Sequence, residues 1–251
     1  MTTRPVRSLA LLLVLTTTTA RAASDFAVMS AGAAEAGLNK LIVVYKRTSG
    51  HEPNITYNTG PELARRLTAG DVADVLIAPV GVVDQAENDG RVVASTRFVL
   101  GRVGVGVVVR RSVSSPNIAT AEALKQTLLK ADSIVYGQGS TGVYVEKLLN
   151  DMGLGDALKT KGVRVVTGRD VGERVLAGAG NDLGLSAISE IKLLENRGAK
   201  LVGPVPAGIQ NYTTYAAIVM TGSKAPDVAR DFLRFLATPA SVVAFRSTGV
   251  E

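Results

Sequence analysis

The chain has 251 residues, 46% of them hydrophobic and 20% charged, so it can bury the core of one large or two modest globular domains. Aromatic residues make up 4% and Trp is absent, which argues against a site built from stacked rings for sugars or single-stranded nucleic acid. The lack of Cys excludes disulfides, thiolate catalysis and Cys-ligated zinc.

The N-terminal segment has the composition of a secretory signal peptide. Arg4 and Arg7 precede a short apolar run, and Ala20-Arg21-Ala22 is a small-x-small cleavage signal. The apolar run is far shorter than the roughly 20 residues that cross a bilayer. We therefore expect residues 1–22 to be removed and the mature protein to be periplasmic. Removing the three arginines of this segment from the formal charge of +6 leaves +3. The remaining basic residues are scattered, which argues against nucleic acid as a partner.

The first predicted elements alternate between strands and helices. Residues 25–29 form a predicted strand, 33–47 a helix, 61–70 a second helix and 74–78 a short buried strand. Strands and helices that alternate at such short spacing indicate a parallel sheet covered by helices.

Two long extended runs, 99–110 and 212–220, divide the chain. We expect the valine-rich first run to pass from one lobe into another and the second run to return. The predicted lobes are 24–103 with 212–251, and 104–211. A protein of this kind holds its ligand in the cleft between the lobes and closes by a hinge.

The second predicted lobe continues the alternation. Its predicted elements are a strand at 134–136 with a helix after it, a strand at 163–166, a helix from Asp170, a strand at 183–187, a helix at 190–196 and a strand at 200–202. Two helices, 228–236 and 240–247, then close the chain and complete the first lobe.

Four strand-to-helix turns are the predicted site. They lie at 27–32, 55–60, 134–142 and 163–170. The first N–H groups of a helix have no partner inside the helix, and the positive end of the helix dipole lies behind them. Turns of this kind bind an anion without a charged side chain. If the four converge on one cleft, the ligand is a small anion.

Enzyme motifs are absent from the sequence. The loop 137–142 lacks the Lys-Ser/Thr that would make it a nucleoside-triphosphate loop, and Ser140 lacks the glycine that a nucleophile elbow needs. The single histidine, His51, is predicted to lie exposed in a turn, and the acidic pair Glu190 and Glu195 to lie on a solvated helix face. We expect a protein that is not an enzyme and has no cofactor or metal site, with an enzyme on the same scaffold as an alternative.

Two stretches carry a resemblance to a known family. They are Ala64-Arg65-Arg66-Leu67-Thr68-Ala69-Gly70-Asp71-Val72-Ala73-Asp74-Val75, followed by Leu76-Ile77-Ala78, and Thr141-Gly142-Val143-Tyr144. These stretches resemble the molybdate-binding proteins of ABC importers, a branch of the type II periplasmic solute-binding proteins. The resemblance implies an α/β, two-lobed type II periplasmic binding protein fold. Each lobe is then a mostly parallel sheet flanked by helices, with the ligand cleft between the lobes.

The resemblance also implies where ligand contacts fall. A family serine of the first lobe falls at Ala33, and a second turn falls at Thr59 and Gly60. Second-lobe contacts fall near Ser140 or Thr141 and at Val171, and a family tyrosine falls at Ala187. Ala33, Gly60 and Ala187 thus lack a hydroxyl or a ring, and each lost hydrogen bond is worth about 0.5–1.5 kcal/mol to a tetrahedral oxyanion.

The prediction from the sequence is a monomeric periplasmic binding protein that captures a small oxyanion resembling molybdate or tungstate. Its expected partner is an ABC permease in the inner membrane. The alternatives are an organic carboxylate as ligand, gripped by Arg169 in a bidentate fork, or a sensor or envelope enzyme on this scaffold. The predicted ligand-binding residues are Ser30, Ala31, Gly32, Ala33, Asn58, Thr59, Gly60, Ser140, Thr141, Gly142, Arg169, Val171 and Ala187.

Overall fold

The computed structural model describes residues 26–251. The strands are β1 (Phe26–Ala31), β2 (Pro53–Asn58), β3 (Val75–Pro79), β4 (Phe98–Arg110), β5 (Ser133–Tyr136), β6 (Gly162–Arg164), β7 (Asp182–Ala187), β8 (Ala199–Pro204) and β9 (Tyr212–Val219). The helices are α1 (Glu35–Ser49), α2 (Gly60–Thr68), α3 (Val80–Asn88), α4 (Ala121–Lys130), α5 (Ser140–Asp151), α6 (Gly155–Lys161), α7 (Gly168–Ala177), α8 (Ile188–Lys192), α9 (Pro226–Leu236) and α10 (Pro239–Ser247). A 3-10 turn, Gly32–Ala34, leads into α1. Within residues 26–251, no helix combines the length and apolarity needed to cross a membrane. The predicted signal peptide lies outside the described residues.

The strands form one continuous sheet in the order β2-β1-β3-β9-β4-β7-β5-β6, with β8 also paired to β4. The first lobe is built on β1, β2, β3 and β9, and the second on β5, β6, β7 and β8. Strands β1, β2 and β3 run parallel to one another, as do β5, β6 and β7. The pairings of β4 and β9 are antiparallel. The predicted two-lobed α/β fold is thus confirmed, while the residue limits given for the two lobes stay a prediction.

Strand β4 belongs to both lobes. Its residues 98–104 pair with β9, and residues 105–110 pair with β7 and β8. Side chains alternate between the two faces of a strand. Val107 and Val109 accordingly pack in one apolar cluster of the second lobe, and Val108 packs in another on the opposite face. Because both faces are covered, this strand needs the unbroken valine run that its sequence shows.

Two predicted helix starts were wrong by a turn or less. The helix predicted from Asp170 begins at Gly168, because the Thr167 side chain caps it and Asp170 completes the capping box. The helix predicted over 190–196 begins at Ile188 and ends at Lys192. The N-cap of helix α8 is Ala187, whose side chain cannot accept a hydrogen bond, so this position carries no capping signal in the sequence.

The prediction for His51 was also wrong. His51 follows Gly50, which ends α1 in the left-handed conformation with φ of 74°. The chain folds back on itself at this point, and the His51 N–H donates to the Ser49 hydroxyl at 3.0 Å. The residue is buried rather than exposed.

Candidate anion-binding site

A small cavity lies between the lobes, where β1 and β2 of the first lobe and β5 and β7 of the second end. The space open to the centre of a water molecule is about 30 Å³, which suits about two water-sized groups. The cavity is lined by Ala31, Gly32, Ala33, Asn58, Thr59, Gly60, Gly137, Gly139, Ser140, Thr141, Gly142, Gly168, Leu185, Ser186, Glu190 and Tyr215. The predicted ligand-binding residues in this lining come from three of the four predicted turns, those that follow β1, β2 and β5.

The structure brings most of the predicted ligand-binding residues to this cavity. Those that line it are Ala31, Gly32, Ala33, Asn58, Thr59, Gly60, Ser140, Thr141 and Gly142. Ser30, Val171 and Ala187 are buried and do not line it, and their roles in binding stay predictions. The Ser30 hydroxyl donates to the Ala31 carbonyl at 3.1 Å, and the Val171 side chain packs beside Val108 and Val135 in a core cluster.

Arg169 lines a second opening next to the cavity. This opening, of about 250 Å³, shares Gly32, Asn58, Thr59 and Glu190 with the cavity and adds Glu35, Tyr57, Thr167, Arg169 and Asp170. A ligand larger than the cavity would therefore extend toward Arg169.

The helix starts around the cavity differ in how their N–H groups are used. At α5 the N-cap is Gly139, and within the described residues no side chain caps the helix. The turn Gly32–Ala34 likewise has no side-chain cap among the described residues. At α2, the Glu62 N–H donates to the Thr59 hydroxyl at 3.3 Å, and Pro61 has no N–H. The Gly60 N–H is the donor that this start keeps for a ligand. These starts keep donors for a ligand.

The first turn of α7 is already occupied by the protein's own side chains. The Asp170 N–H donates to the Thr167 hydroxyl at 3.1 Å, and the Thr167 N–H donates to the Asp170 carboxylate at 2.8 Å. The Arg169 N–H donates to the Glu190 carboxylate. Glu190 thus occupies the position at α7 where an anionic ligand would otherwise accept the Arg169 N–H hydrogen bond.

Glu190 lies on the cavity wall, so its predicted place on a solvated helix face was wrong. Its Oε2 lies 3.5 Å from the Ser186 hydroxyl, and its Oε1 would lie 3.0 Å from a Cβ built on Gly32 of the first lobe. A Cβ on Gly168 would overlap with the Glu190 carboxylate and with Ser186. Glycine at 168 therefore lets the carboxylate approach the start of α7.

Burial, with smaller contributions from the negative charges of Glu35 and Asp170, raises the pKa of Glu190 to about 7. Hydrogen bonds from the Ser186 hydroxyl and the Arg169 N–H act against this rise in pKa. The Glu190 side chain consequently exchanges a proton with its surroundings near neutral pH.

An ion pair joins the two lobes beside the cavity. Arg169 Nη1 of α7 lies 2.8 Å from Glu35 Oε1 of α1, and Arg169 Nε lies 3.7 Å from the Glu173 carboxylate. Burial raises the pKa of Glu35, while the Arg169 charge lowers it. The Arg169 side chain is 44% exposed, so a ligand carboxylate can compete with Glu35 for the guanidinium.

The Tyr215 hydroxyl reaches the cavity from a strand where the resemblance put no contact, and the Ser140 hydroxyl fills a space beside the first lobe. Tyr215 of β9 is buried and shares hydrogen bonds with the side chains of Thr213 and Thr141. Burial, followed by the charge of Glu190, raises the pKa of Tyr215 above its usual value, so the group remains a donor. A Cβ on Gly60 would lie 2.5 Å from the Ser140 hydroxyl and 2.9 Å from Pro79 Cγ. Ser140 of the second lobe thus fills the space that a serine at position 60 would use.

Sequence reasoning missed Ser186, Glu190 and Tyr215. Ser186 and Glu190 flank the turn from β7 into α8. The rule used for the other turns, a helix that starts directly after a strand, would have indicated this turn as well. Tyr215 carries no local signal, because its position in the middle of a strand becomes significant only when β9 lies beside β3 and β4.

The sequence matches one family along the whole described part. The family described as bacterial extracellular solute-binding protein matches residues 26–251. Aconitate isomerase from Pseudomonas sp. is 28% identical over 238 residues, covering 92% of this chain and 89% of that protein.

Solved structures share the fold. The periplasmic molybdate-binding protein from Azotobacter vinelandii has a TM-score of 0.75 at 17% identity, covering 90% of this chain and 98% of that one. The sulfate-binding protein from Mycobacterium tuberculosis has a TM-score of 0.73 at 15% identity, covering 90% and 86%. These similarities confirm the type II periplasmic binding protein fold. The chain belongs to the bacterial extracellular solute-binding proteins.

Proposed function

We propose that this protein is a periplasmic solute-binding protein that captures a small organic carboxylate between its lobes and delivers it to an ABC permease. The donors left at Gly32–Ala34, Gly60 and α5 hold one carboxylate group in the cavity. The rest of the ligand extends into the adjoining opening toward Arg169.

The observation that carries this choice is the Glu190 carboxylate on the cavity wall. A fully ionised tetrahedral oxyanion has no proton to donate, so a wall that presents a negatively charged acceptor disfavours it. An organic acid can place a hydroxyl or a protonated carboxyl group there. The oxyanion predicted first from the sequence therefore becomes the second candidate ligand.

Calorimetric titration of the mature protein separates the two ligands. We expect heat from small di- or tricarboxylates that carry a hydroxyl group at pH 7.5 and weaker heat or none from molybdate, tungstate and sulfate. Heat from the oxyanions alone would favour the second candidate, and no heat from any of these anions would contradict both.

A second candidate function is an isomerase that moves a proton within an unsaturated carboxylate. Glu190, with a pKa of about 7 in the cavity, can take a proton from a carbon and return it to another. Such a shift balances without a cofactor, because the proton that leaves one carbon reaches the other. The similarity to aconitate isomerase favours this candidate.

The isomerase candidate is tested by incubating the protein with cis- and trans-aconitate in D₂O and following both by NMR. Interconversion with deuterium incorporation supports an enzyme, and we expect Glu190→Gln to abolish it. Binding without either change supports the transport function. A binding assay distinguishes the transport function from the sensor alternative. Binding of the ligand-loaded protein to a membrane permease supports transport, and binding to a receptor supports a sensor.

A further inference from the structure

Glu190 is the one side-chain carboxylate among the residues that line the cavity in the described part of the chain. It is held there from several sides. The Arg169 N–H and the Ser186 hydroxyl bind it, and Gly32 of the opposite lobe lies next to its Oε1. The carboxylate thus faces the same space as the donors at Gly60 and α5.

We propose that Glu190 selects the ligand by requiring one proton between itself and the bound anion. A ligand with a hydroxyl or a protonated carboxyl group supplies this proton. A fully ionised anion binds only when Glu190 itself takes up a proton from solvent. The proposal deepens the proposed function, since it concerns the same cavity and ligand class.

Electrostatics supports this proton requirement. Two like charges that share a small enclosed space repel one another strongly, whereas a shared proton turns the repulsion into a hydrogen bond. The charged groups around Glu190 are Glu35 of α1, and Asp170 and Arg169 of α7, with Tyr215 of β9 on the cavity wall. The Arg169 charge is directed to Glu35, so it leaves the charge of Glu190 largely uncompensated.

Sulfate is the probe for the test, because it carries no proton between pH 5.5 and pH 8.5. The pKa of Glu190 of about 7 places the change in affinity within this range. We expect sulfate to bind the mature protein at pH 5.5 and its affinity to fall about tenfold per pH unit above pH 7. Calorimetry in two buffers of different ionisation enthalpy should show uptake of about one proton per sulfate at pH 8.

The variant Glu190→Gln should bind sulfate with the same affinity across this range and without proton uptake. The control is Glu195→Gln, which makes the same change of charge at a residue outside the cavity and should keep the wild-type pH dependence. Thermal melting checks that both variants are folded, and the proton uptake of the wild-type protein tests the proposal without a variant.

Three results would overturn the proposal. They are a wild-type affinity for sulfate that does not change with pH, an equal fall in affinity in Glu190→Gln, and no sulfate binding by either protein at pH 5.5. A protein that binds carboxylates but gives one of these results retains the proposed function. A protein with proton-linked sulfate binding that binds no carboxylate retains the inference alone.

Discussion

Helices α5 and α7 both begin directly after a strand of the second lobe, yet their first turns are occupied differently. At α5 the N-cap is a glycine, within the described residues no side chain caps the helix, and the turn lines the cavity. At α7 the capping box of Thr167 and Asp170 and the Glu190 carboxylate use the donors. Similar strand-to-helix turns therefore serve two purposes: one is left open for a ligand and the other holds an acid of the protein itself.

Closing the open turn tests the first half of this comparison and should have the largest effect. A Cβ at Gly142 would overlap with the Gly137 carbonyl, which is backbone and cannot rotate away. We expect Gly142→Ala to lower the free energy of unfolding by about 3 kcal/mol or more, measured by urea denaturation.

The control is Gly81→Ala in α3, where no atom lies within 4 Å of the added Cβ. This change should leave stability unchanged or raise it by about 0.5–1 kcal/mol. Equal stability of the two variants would contradict the close approach of α5 to its strand.

Neutralising Glu190 tests the second half of the comparison, that the start of α7 holds an acid of the protein itself. The pKa of Glu190 rises from 4.5 in the unfolded chain to about 7 in the folded protein. The folded state therefore holds its proton more tightly, and wild-type stability falls as pH rises from about 4.5 to 7. We expect Glu190→Gln to lack this fall and to be more stable than wild type by up to about 3 kcal/mol at pH 8.

The measurement is urea denaturation of both proteins at pH 4.5, 6 and 8. The two proteins should be nearly equally stable at pH 4.5 and diverge above it. A constant difference in stability at all three pH values would show that the carboxyl group titrates normally.

Removing the capping box should have a smaller effect. We expect Thr167→Ala to cost about 1–2 kcal/mol of stability, because the Asp170 N–H loses its acceptor. The matched change is Thr120→Ala, which removes an equivalent cap from the Ala123 N–H at 3.1 Å in α4. Both should lose similar stability in thermal melts, and Thr120→Ala should leave ligand affinity unchanged. If Thr120→Ala lost stability and Thr167→Ala did not, the Glu190 contact alone would hold the start of α7.

Breaking the interlobe ion pair should have the smallest effect on stability. Since Arg169 is 44% exposed, we expect Arg169→Ala to cost less than about 1 kcal/mol. Its effect on ligands should depend on their size. Affinity for a tricarboxylate should fall severalfold in calorimetry, while affinity for acetate, which has no second carboxylate to reach Arg169, should stay the same. The control Arg65→Ala removes an exposed ion pair with Glu62 and should change neither affinity.

Much of the site could be predicted from the sequence because a strand-to-helix turn has a local cause. The apolar run of β5, the glycines after it and the helical pattern of α5 lie within one short stretch. The positions Gly32, Gly60 and Thr141 could therefore be assigned without the fold. The chemistry of Glu190 could not, because its environment comes largely from Gly168, Asp170 and Glu35, which are its neighbours only in space.

The sequence by itself determined the alternating strands and helices, the valine run of β4 and the turns that carry free N–H groups. These features depend on the periodicity of apolar residues and on backbone conformation over a few residues. Only the tertiary structure decided which turn stays open, that the hydroxyl missing at Gly60 comes from Ser140, and that Glu190 faces the cavity. Burial and the electrostatic field of neighbouring charges depend on the packing of distant segments, so local sequence patterns do not contain them.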